Sequence, residues 1–264
     1  MKLGFIGGGN MASAIIGGIL NQKLSAPEDI IVADINPSAR ESLQKKYGLT
    51  VTAENKEVVT TADILFLAVK PQFTENVLKE ITAYFTPNHL LISIVAGKTL
   101  DFYASILGEN IPVMRTMPNT PALVGQGMTA LTPNQNVTAE KLETAKTLFA
   151  SFGKAEVVPE NLMPAVVGVS GSSPAYIFML IEAMADAAVA EGMPRNQAYT
   201  FAAQSVLGSA KMVLETGMHP AALKDMVCSP GGTTIEAVKK LEETGMRNSI
   251  LQAIAVCAEK SRHL

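Results

Sequence analysis

The sequence is poor in the residues that build disulfides, metal sites and hydrolytic triads. Its only cysteines are Cys228 and Cys257, and its only histidines are His89, His219 and His263. No CxxC or Cys/His spacing joins them, which indicates a reducing compartment and argues against a metal site. No histidine lies in a Ser/His/Asp or Cys/His context, so nothing suggests hydrolase chemistry.

The chain also lacks a block of one charge and a long uninterrupted apolar run. It has 21 basic and 24 acidic residues without a basic cluster, so nothing recommends a nucleic-acid partner. The longest apolar run, residues 175–190, contains Glu182 and Asp186, and we expect it to be too short and too charged for a bilayer. The opening MKLGFIGGG breaks into glycines too early for a signal peptide. These features predict a soluble, cytoplasmic protein.

Apolar residues are abundant, and they are arranged differently in the two halves of the chain. They make up 48% of 264 residues, which excludes a disordered chain and allows a large core. Residues 1–158 alternate short β-branched runs with helical stretches, whereas residues 159–264 are rich in Ala, Met and Leu with almost no strand pattern. We therefore predict an α/β domain over residues 1–158 and an all-helical domain over residues 159–264.

The first half has the alternation of a doubly wound α/β domain. Apolar runs predict strands at residues 2–6, 29–34, 62–69 and 89–96, and helical spacing predicts helices at residues 10–20 and 37–48. This order favours a parallel sheet with helices on both faces.

A glycine-rich turn joins the first strand to the first helix. Gly7, Gly9 and Ala12 form the pattern G-x-G-x-x-A. Gly7 allows the tight turn, Gly9 lets the backbone approach a pyrophosphate, and Ala12 lets the helix pack close to the strand. The helix start then offers free N–H groups to the anion. Because the motif follows a strand and opens a helix, it predicts a Rossmann dinucleotide-binding domain rather than a turn without a ligand.

An acidic residue, Asp34, ends the second predicted strand. A carboxylate there accepts a hydrogen bond from the ribose 2′-OH and repels a 2′-phosphate, which favours NAD. Asn36, Arg40 and Asn55 could make room for a phosphate, so the choice between NADH and NADPH stays open. The alternative role for Asp34 is to cap the following helix.

Three more loops are expected at the carboxyl edge of the sheet, where such folds bind ligands. Residues 68–72 and 95–98 each follow a buried strand, and residues 114–127 follow the strand-like IPVMR. Lys70 is a candidate cofactor contact, and the alternative is a solvated surface lysine. The loop at residues 114–127 is either part of the site or ordinary turn chemistry.

Two long helices are predicted in the second half, at residues 174–192 and 195–217. The second is apolar over more than one face, and such a helix must be covered on several sides. We therefore expect a broad or intertwined homodimer interface. Glu182 and Asp186 are one turn apart without a histidine, which favours a solvated face or an interhelical bond over acid–base or metal chemistry. No metal site is predicted.

A second pair of glycines, far from the first, also precedes a helical pattern. Gly231 and Gly232 stand directly before Thr233 and Thr234. Exposed N–H groups and hydroxyls at a helix start make an anion site. A plain Gly-Gly turn followed by a threonine N-cap explains the same residues.

The longer motifs resemble pyrroline-5-carboxylate reductases along essentially the whole chain. The resemblance rests on GFIGGGNMA, LFLAVKPQ, MRTMPNTPA, SGSSPAYIF and above all LKDMVCSPGGTTIEAVKKLE. It implies a Rossmann domain followed by a helical dimerisation and substrate-binding domain, with dimers that often assemble into larger rings. It also implies hydride transfer from NADPH or NADH to the C=N bond of 1-pyrroline-5-carboxylate, giving L-proline in the last step of proline biosynthesis.

The resemblance further implies site residues. For the cofactor these are Gly7, Gly9, Asn10, Met11, Ala12, Asn55, Ala68, Lys70, Pro71, Ala96 and Gly97, to which the motif adds Asp34. For the substrate they are Ser172, Ser173, Gly231, Gly232, Thr233 and Thr234. Many members carry a small hydroxyl residue where this chain has Asp34, which weakens an implied preference for NADPH.

Thr234 is the residue predicted to act in catalysis. The iminium form of the substrate already carries the proton that its nitrogen needs, so a strong general acid is not required. The helix start would hold the carboxylate, Thr234 would orient the ring nitrogen, and catalysis would be mainly positioning against the nicotinamide. The two parts come from opposite halves of the chain, and we expect them from two subunits.

Two rival functions are weighed against this one. A β-hydroxyacid dehydrogenase needs a proton acceptor, usually a lysine on the first long helix of its second domain, and this chain has no lysine between Lys154 and Lys211. A non-catalytic sensor of NAD(H) needs a partner-binding module, often basic, and no such module is visible.

Overall fold

The computed structural model describes residues 1–263, which divide into two compact units. The first unit is Met1–Gly171 with the residues from Cys257 onward, and the second is Ser172–Val256. The contacts within the chain thus place the boundary after Gly171, whereas the composition changes after residue 158. The domain boundary between residues 158 and 159 stays a prediction.

An eight-stranded sheet forms the centre of the first unit. Its strands are β1 (Leu3–Ile6), β2 (Ile30–Ala33), β3 (Thr50–Thr52), β4 (Ile64–Leu67), β5 (Leu90–Ser93), β6 (Val113–Met117), β7 (Gly127–Pro133) and β8 (Gly153–Val157). Their order is β3-β2-β1-β4-β5-β6-β7-β8. The first six pair in parallel, β7 is antiparallel to β6, and β8 is parallel to β7. The predicted doubly wound sheet is confirmed, with β7 as the strand that makes it mixed.

Six helices of the first unit connect these strands. They are α1 (Asn10–Asn21), α2 (Pro37–Tyr47), α3 (Asn55–Thr61), α4 (Thr74–Ile81), α5 (Leu100–Leu107) and α6 (Ala139–Ala150). The sequence marks their ends locally: the side chains of Asn36, Thr99 and Thr138 accept first-turn N–H groups, as N-caps do. Gly48 ends α2 in the left-handed conformation, at φ 72°, where glycine is favoured.

Apolar side chains cover both faces of the sheet. Successive strand residues point to opposite faces, so Phe66 joins one buried cluster while its neighbours Leu65 and Leu67 join the other. The rings of Phe5 and Phe66 stack with centroids 4.5 Å apart. Because this unit closes its own core, the sheet edge that carries the predicted loops is held on a packed frame.

The second unit is helical, as predicted. A short helix α7 (Met163–Val166) and a π-helical segment (Val167–Gly171) lead into α8 (Ser173–Ala190), α9 (Arg195–Thr216), α10 (Pro220–Val227), α11 (Thr233–Glu243) and α12 (Met246–Arg262). Asp186 of α8 forms an ion pair with Arg195 of α9, which is the interhelical bond considered from the sequence. The large apolar side chains of Phe178, Phe201 and Leu214 are 63%, 66% and 65% exposed, so the apolar faces of α8 and α9 lie on the surface of the single chain.

The expectation that the apolar run at residues 175–190 is too short for a bilayer is wrong. The helical stretch Glu160–Ala190 is long and apolar enough to cross a membrane by length and composition. The helix predicted from the sequence began at residue 174, but α7 and the π-helical segment extend the helical stretch back to Glu160. An exposed apolar helix of this kind equally suits a protein–protein interface, and relatives of the chain decide between the two.

Candidate active site

The predicted cofactor loops lie along one edge of the sheet in the first unit. Strands β1, β2, β4, β5 and β6 are parallel and in register, so their carboxyl ends share an edge. The loop of Gly7–Gly9 follows β1, Asp34 follows β2, residues 68–71 follow β4 and residues 95–97 follow β5. The strand order changes direction at β1 and β4, which is the place where doubly wound folds bind ligands.

The three glycines of the first loop have three different surroundings. Gly7 has φ 101°, and a Cβ there would stand 2.5 Å from the carbonyl oxygen of Ala68. A Cβ at Gly8 would stand 2.7 Å from Cδ1 of Leu43 in α2. Gly9 has an ordinary φ of −71°, and a Cβ there would point into open space.

Gly9 is therefore the glycine that packing within the chain does not explain. It is the N-cap of α1, and glycine supplies no side-chain acceptor for the first-turn N–H groups. Those donors and the space above Gly9 suit a pyrophosphate, because a helix start attracts anions and a bare backbone allows close approach. Asn10 and Met11 form the first turn, and Ala12 is buried where α1 meets the sheet. The residues present fit a dinucleotide.

Asp34 ties the glycine loop to the turn before α2. Its Oδ2 accepts a hydrogen bond from the Gly8 N–H at 2.7 Å, and its Oδ1 accepts one from the Asn36 N–H at 2.8 Å. Asn36, not Asp34, caps α2, so the alternative role for Asp34 is wrong. Each carboxylate oxygen can accept a second hydrogen bond, which leaves Asp34 able to receive a ribose hydroxyl.

Arg40 lies in the first turns of α2, and its Nη1 donates to the carbonyl oxygen of Asp34 at 2.6 Å. The guanidinium is thus held at the backbone of Asp34, the residue whose carboxylate would repel a 2′-phosphate. Asn55 begins α3, and its amide donates to the Glu80 carboxylate at 3.2 Å. The amide therefore has a partner within the chain, and its role toward a cofactor stays a prediction.

The loop after β4 turns at the edge of the sheet. The Ala68 N–H donates to the carbonyl oxygen of Ile6 at 2.8 Å, which holds this loop against the glycine loop. Lys70 is exposed and precedes Pro71, and its carbonyl oxygen accepts bonds from the Phe73 N–H and the Thr74 hydroxyl. The lysine side chain is thus free to turn while its backbone is fixed.

A buried polar network that sequence reasoning missed lies under the loop after β5. The hydroxyls of Ser93 and Tyr103 are 2.5 Å apart, and Ser93 Oγ accepts the Val95 N–H at 3.2 Å. Thr116 Oγ1 donates to the Ser93 carbonyl oxygen at 2.9 Å. Burial raises the pKa of Tyr103 to about 12. The network fixes the turn that leads to Ala96 and to Gly97, whose φ is 77°. Its one sequence signal is a serine inside an apolar strand.

The predicted second anion site has the backbone of a helix start. Gly231 has φ 67°, and the Gly232 N–H donates to the Ser229 carbonyl oxygen at 3.0 Å. Gly232 is the N-cap, and Thr233 and Thr234 are the first helical residues of α11. The alternative of a threonine N-cap is therefore wrong. Like Gly9, Gly232 leaves the first-turn N–H groups without a side-chain acceptor of its own.

The remaining predicted substrate residues stand at another helix start. Ser172 precedes α8, Ser173 is its first residue and Pro174 follows. A proline is tolerated there because a first-turn N–H has no partner in the helix. The π-helical segment ends at Gly171, directly before Ser172. Short π-helical segments are frequent at functional sites.

Asn119 is a further residue that the sequence did not single out, although it lies in the predicted rim loop at residues 114–127. It is 9% exposed. Its amide nitrogen donates to the Ser170 carbonyl oxygen at 3.0 Å, and its amide oxygen accepts the Met128 N–H at 2.8 Å. The loop that follows β6 is thus bonded to the π-helical segment.

This sheet order, glycine loop and acidic residue define an NAD(P)-binding Rossmann oxidoreductase domain, and it is joined in one chain to a helical unit. Family models agree with both parts: the coenzyme F420-dependent NADP oxidoreductase family matches residues 2–97, and the pyrroline-5-carboxylate reductase dimerisation family matches residues 160–264.

Relatives over the full length identify the family. The chain is 54% identical over 263 residues to pyrroline-5-carboxylate reductase of Escherichia coli (strain K12), covering 100% of this chain and 98% of the relative. It is 47% identical to the enzyme of Methanosarcina acetivorans, covering 100% and 97%. The chain belongs to the pyrroline-5-carboxylate reductase family, as its motifs predicted.

Solved structures of the same family have the same fold as this chain. A pyrroline-5-carboxylate reductase from Coxiella burnetii superposes with a TM-score of 0.93 at 33% identity, covering 99% of this chain and 97% of that one. The Plasmodium falciparum enzyme, solved with NADP bound, gives 0.90 at 31% identity, covering 100% and 97%. Prephenate dehydrogenase from A. aeolicus, at 15% identity and a TM-score of 0.57, shares the fold alone.

The predicted enzyme class, its place in proline biosynthesis and its NAD(P) cofactor are confirmed at the level of the family. A dimerisation domain is present, and the family consists of soluble enzymes. The apolar stretch Glu160–Ala190 lies wholly within the residues that match that domain, so we assign its exposed face to protein contacts rather than to a membrane.

Proposed function

We propose that this chain reduces 1-pyrroline-5-carboxylate to L-proline, with the substrate carboxylate bound at the start of α11. The observation that carries the proposal is the glycine N-cap of this helix, preceded by Gly231 at φ 67°. Backbone N–H groups at such a start bind an anion. Thr233 and Thr234 add hydroxyls in the first turn, and Ser172 and Ser173 are the other proposed substrate contacts.

Positioning is the main task of these residues. The bound reduced nicotinamide supplies the hydride. The iminium nitrogen arrives protonated, so Thr234 serves as a hydrogen-bond partner that orients the ring rather than as an acid. Gly7, Gly9, Asn10, Met11 and Ala12 would hold the pyrophosphate, with Asp34, Asn55, Ala68, Lys70, Pro71, Ala96 and Gly97 along the rest of the dinucleotide.

The chain is proposed to work as a homodimer in the cytoplasm, with rings of dimers as a further level of assembly. Support comes from the family of the second half and from the exposed apolar side chains of α8 and α9. Large exposed apolar patches of this kind mark protein–protein interfaces.

Oxidation of NADH and NADPH, followed by absorbance, tests the proposal. We expect fast oxidation with 1-pyrroline-5-carboxylate and only background oxidation without it. The matched control offers a β-hydroxyacid together with NAD⁺ or NADP⁺, and this mixture should stay unchanged. Dinucleotide binding without turnover would contradict the proposal in favour of a sensor, and oxidation of the β-hydroxyacid would favour the dehydrogenase.

A further inference from the structure

Asn119 bonds two segments that the sequence keeps far apart. It follows β6, lies in the loop before β7 and is 9% exposed. Its amide nitrogen donates to the Ser170 carbonyl oxygen at 3.0 Å, while its amide oxygen accepts the Met128 N–H at 2.8 Å. Both bonds lie within the first unit. The orientation of the amide follows from its partners, since one is an acceptor and the other a donor.

The Ser170 carbonyl oxygen needs a donor from outside its own helix. In an α-helix it would accept the N–H four residues later, but that residue is Pro174, which has no N–H. The backbone is π-helical over Val167–Gly171, and the partner five residues later would be the Ala175 N–H, but this N–H donates to the Ser172 carbonyl oxygen at 3.1 Å. Asn119 supplies a donor to this carbonyl in the last π-helical turn, directly before Ser172.

The turn is also held by close packing. A Cβ at Gly171 would stand 2.8 Å from Cε of Met117, the last residue of β6. Ser170 Oγ donates to the Val166 carbonyl oxygen at 3.0 Å. The end of β6 therefore touches the turn through Met117 and bonds it through Asn119, so the backbone that leads into Ser172 and Ser173 has little freedom.

We infer that Asn119 is a positioning residue for the imine substrate, because its amide fixes the π-helical turn that presents Ser172 and Ser173. This inference rests on the proposed function of those two serines. Asn119 acts through the turn and does not itself contact the substrate. An aspartate has the same shape but offers no donor, and it would set a carboxylate against the Ser170 carbonyl oxygen.

The variant Asn119→Asp tests this role by kinetics. An unsatisfied or repelled buried carbonyl displaces the turn, and we expect KM for 1-pyrroline-5-carboxylate to rise about tenfold or more, the value of roughly one hydrogen bond. The Kd for the dinucleotide should stay within about twofold, because the glycine loop is untouched. If Asn119→Asp does not fold, Asn119→Ala removes the same donor without adding a charge. We again expect KM for 1-pyrroline-5-carboxylate to rise and the Kd for the dinucleotide to stay within about twofold.

Asn134 offers a matched control. Its amide nitrogen donates to the Ile111 carbonyl oxygen at 2.9 Å and its amide oxygen accepts the Val113 N–H at 3.1 Å, at the opposite end of β6. Asn134→Asp should lower the melting temperature as much as Asn119→Asp does and leave KM unchanged. Equal effects of the two variants on KM, or an Asn119→Asp enzyme with wild-type KM, would overturn the inference.

A double-mutant cycle with Ser173→Ala separates this inference from the proposed function. We expect Ser173→Ala to raise KM for the imine, and the double variant to be less impaired than the product of the single effects. If Ser173→Ala raises KM but the effects multiply independently, the inference fails and the role of the serine stands. If Ser173→Ala leaves KM unchanged, the proposed role of the serine fails, and the inference about Asn119 fails with it.

Discussion

The two glycine-capped helix starts differ in what surrounds them. At the start of α1, Gly7 and Gly8 touch Ala68 and Leu43, and Ala12 is buried. At the start of α11, a Cβ at Gly231 would meet open space and one at Gly232 would meet only Ser229 of the same turn. Every residue of α11 is partly or fully exposed. The first start is anchored to a closed core by Gly8 and Ala12, although Gly9 itself is exposed, and the second stands on an open surface.

This difference indicates that the single chain can complete the cofactor site but not the proposed substrate site. The first unit buries its own apolar residues on both faces of its sheet, so the cofactor loops are held without outside help. The second unit exposes Phe201, Leu207 and Leu214, and its sequence matches a dimerisation family. We therefore expect cofactor affinity to be insensitive to dimerisation and substrate turnover to require it.

The largest effect is expected from a negative charge at Phe201, which tests whether the second unit needs a partner subunit. Burying an unpaired carboxylate in an interface costs several kcal/mol, so Phe201→Glu should dissociate the dimer and lower turnover by about a hundredfold or more. Light scattering and steady-state kinetics measure the two effects. Tyr84→Glu, an exposed site in the first unit (42%), is the control. A dimeric, active Phe201→Glu enzyme would contradict the assignment of this face.

Alanine at Gly9 should weaken cofactor binding, whereas alanine at Gly7 should weaken the fold. Gly9→Ala keeps an allowed φ and fills open space, so the melting temperature should hold while the Kd for the dinucleotide rises about tenfold to a hundredfold. Gly7→Ala should instead lower stability, because φ 101° and the Ala68 carbonyl oxygen reject a Cβ. Calorimetry and cofactor titration distinguish them. Unchanged dinucleotide affinity in Gly9→Ala would contradict the pyrophosphate assignment.

At the second helix start, Thr234→Ala should lower kcat/KM for the imine by about tenfold to a hundredfold, the value of one hydrogen bond and the orientation that it provides. Thr244→Ala, at the far end of α11 where the hydroxyl bonds the Lys240 carbonyl oxygen, should have wild-type kinetics. A Thr234→Ala enzyme with normal turnover would remove the threonine from the mechanism.

The choice of nicotinamide depends on Asp34. Its carboxylate lies between Gly8 and Asn36 and would repel a 2′-phosphate, so Asp34→Ser should raise the ratio of kcat/KM with NADPH to that with NADH by about tenfold. The two cofactors serve as each other's control. A native enzyme with a strong preference for NADPH would show that Asp34 turns away from the ribose and that Arg40 dominates.

The smallest effect at neutral pH is expected from Tyr103→Phe. The pKa of Tyr103 is raised by burial from 10.0 to about 12, so the neutral phenol's contribution to folding is complete below pH 10 and is lost as the pH rises through about 12. Wild type should therefore lose up to about 3 kcal/mol more stability than Tyr103→Phe across this window. Denaturation at pH 8 and at pH 11.5 should show about 2 kcal/mol of this difference, and parallel curves would contradict it.

Much of the fold could be predicted because its signals are local. The strands at β1, β2, β4 and β5 are short apolar runs, and α8 and α9 are long apolar helices. Strand β3 was missed, since TVT is only three residues long. Strands β7 and β8 were missed, since GMTALTP and GKAEV are short and mixed in polarity. Their pairing depends on contacts with β6 and with each other that a single sequence does not display.

The candidate site divides in the same way. The two glycine motifs could be predicted because a glycine before a helix has a local physical meaning. Asn119, Ser93 and Tyr103 could not, because each acts through a partner distant in sequence: Asn119 bonds Ser170, and Ser93 bonds Tyr103 and Thr116. Similarly, the length of the helix before Ala190 was missed, since the predicted helix began at Pro174 and proline is common at a helix start.

A crystal structure of the enzyme with NADP⁺ and L-proline tests the central assignment most directly. The proline carboxylate should lie within about 3 Å of backbone N–H groups of residues 231–234, with the Thr234 hydroxyl near the ring nitrogen and the pyrophosphate above Gly9. Proline bound elsewhere, with the start of α11 facing only solvent, would contradict the account.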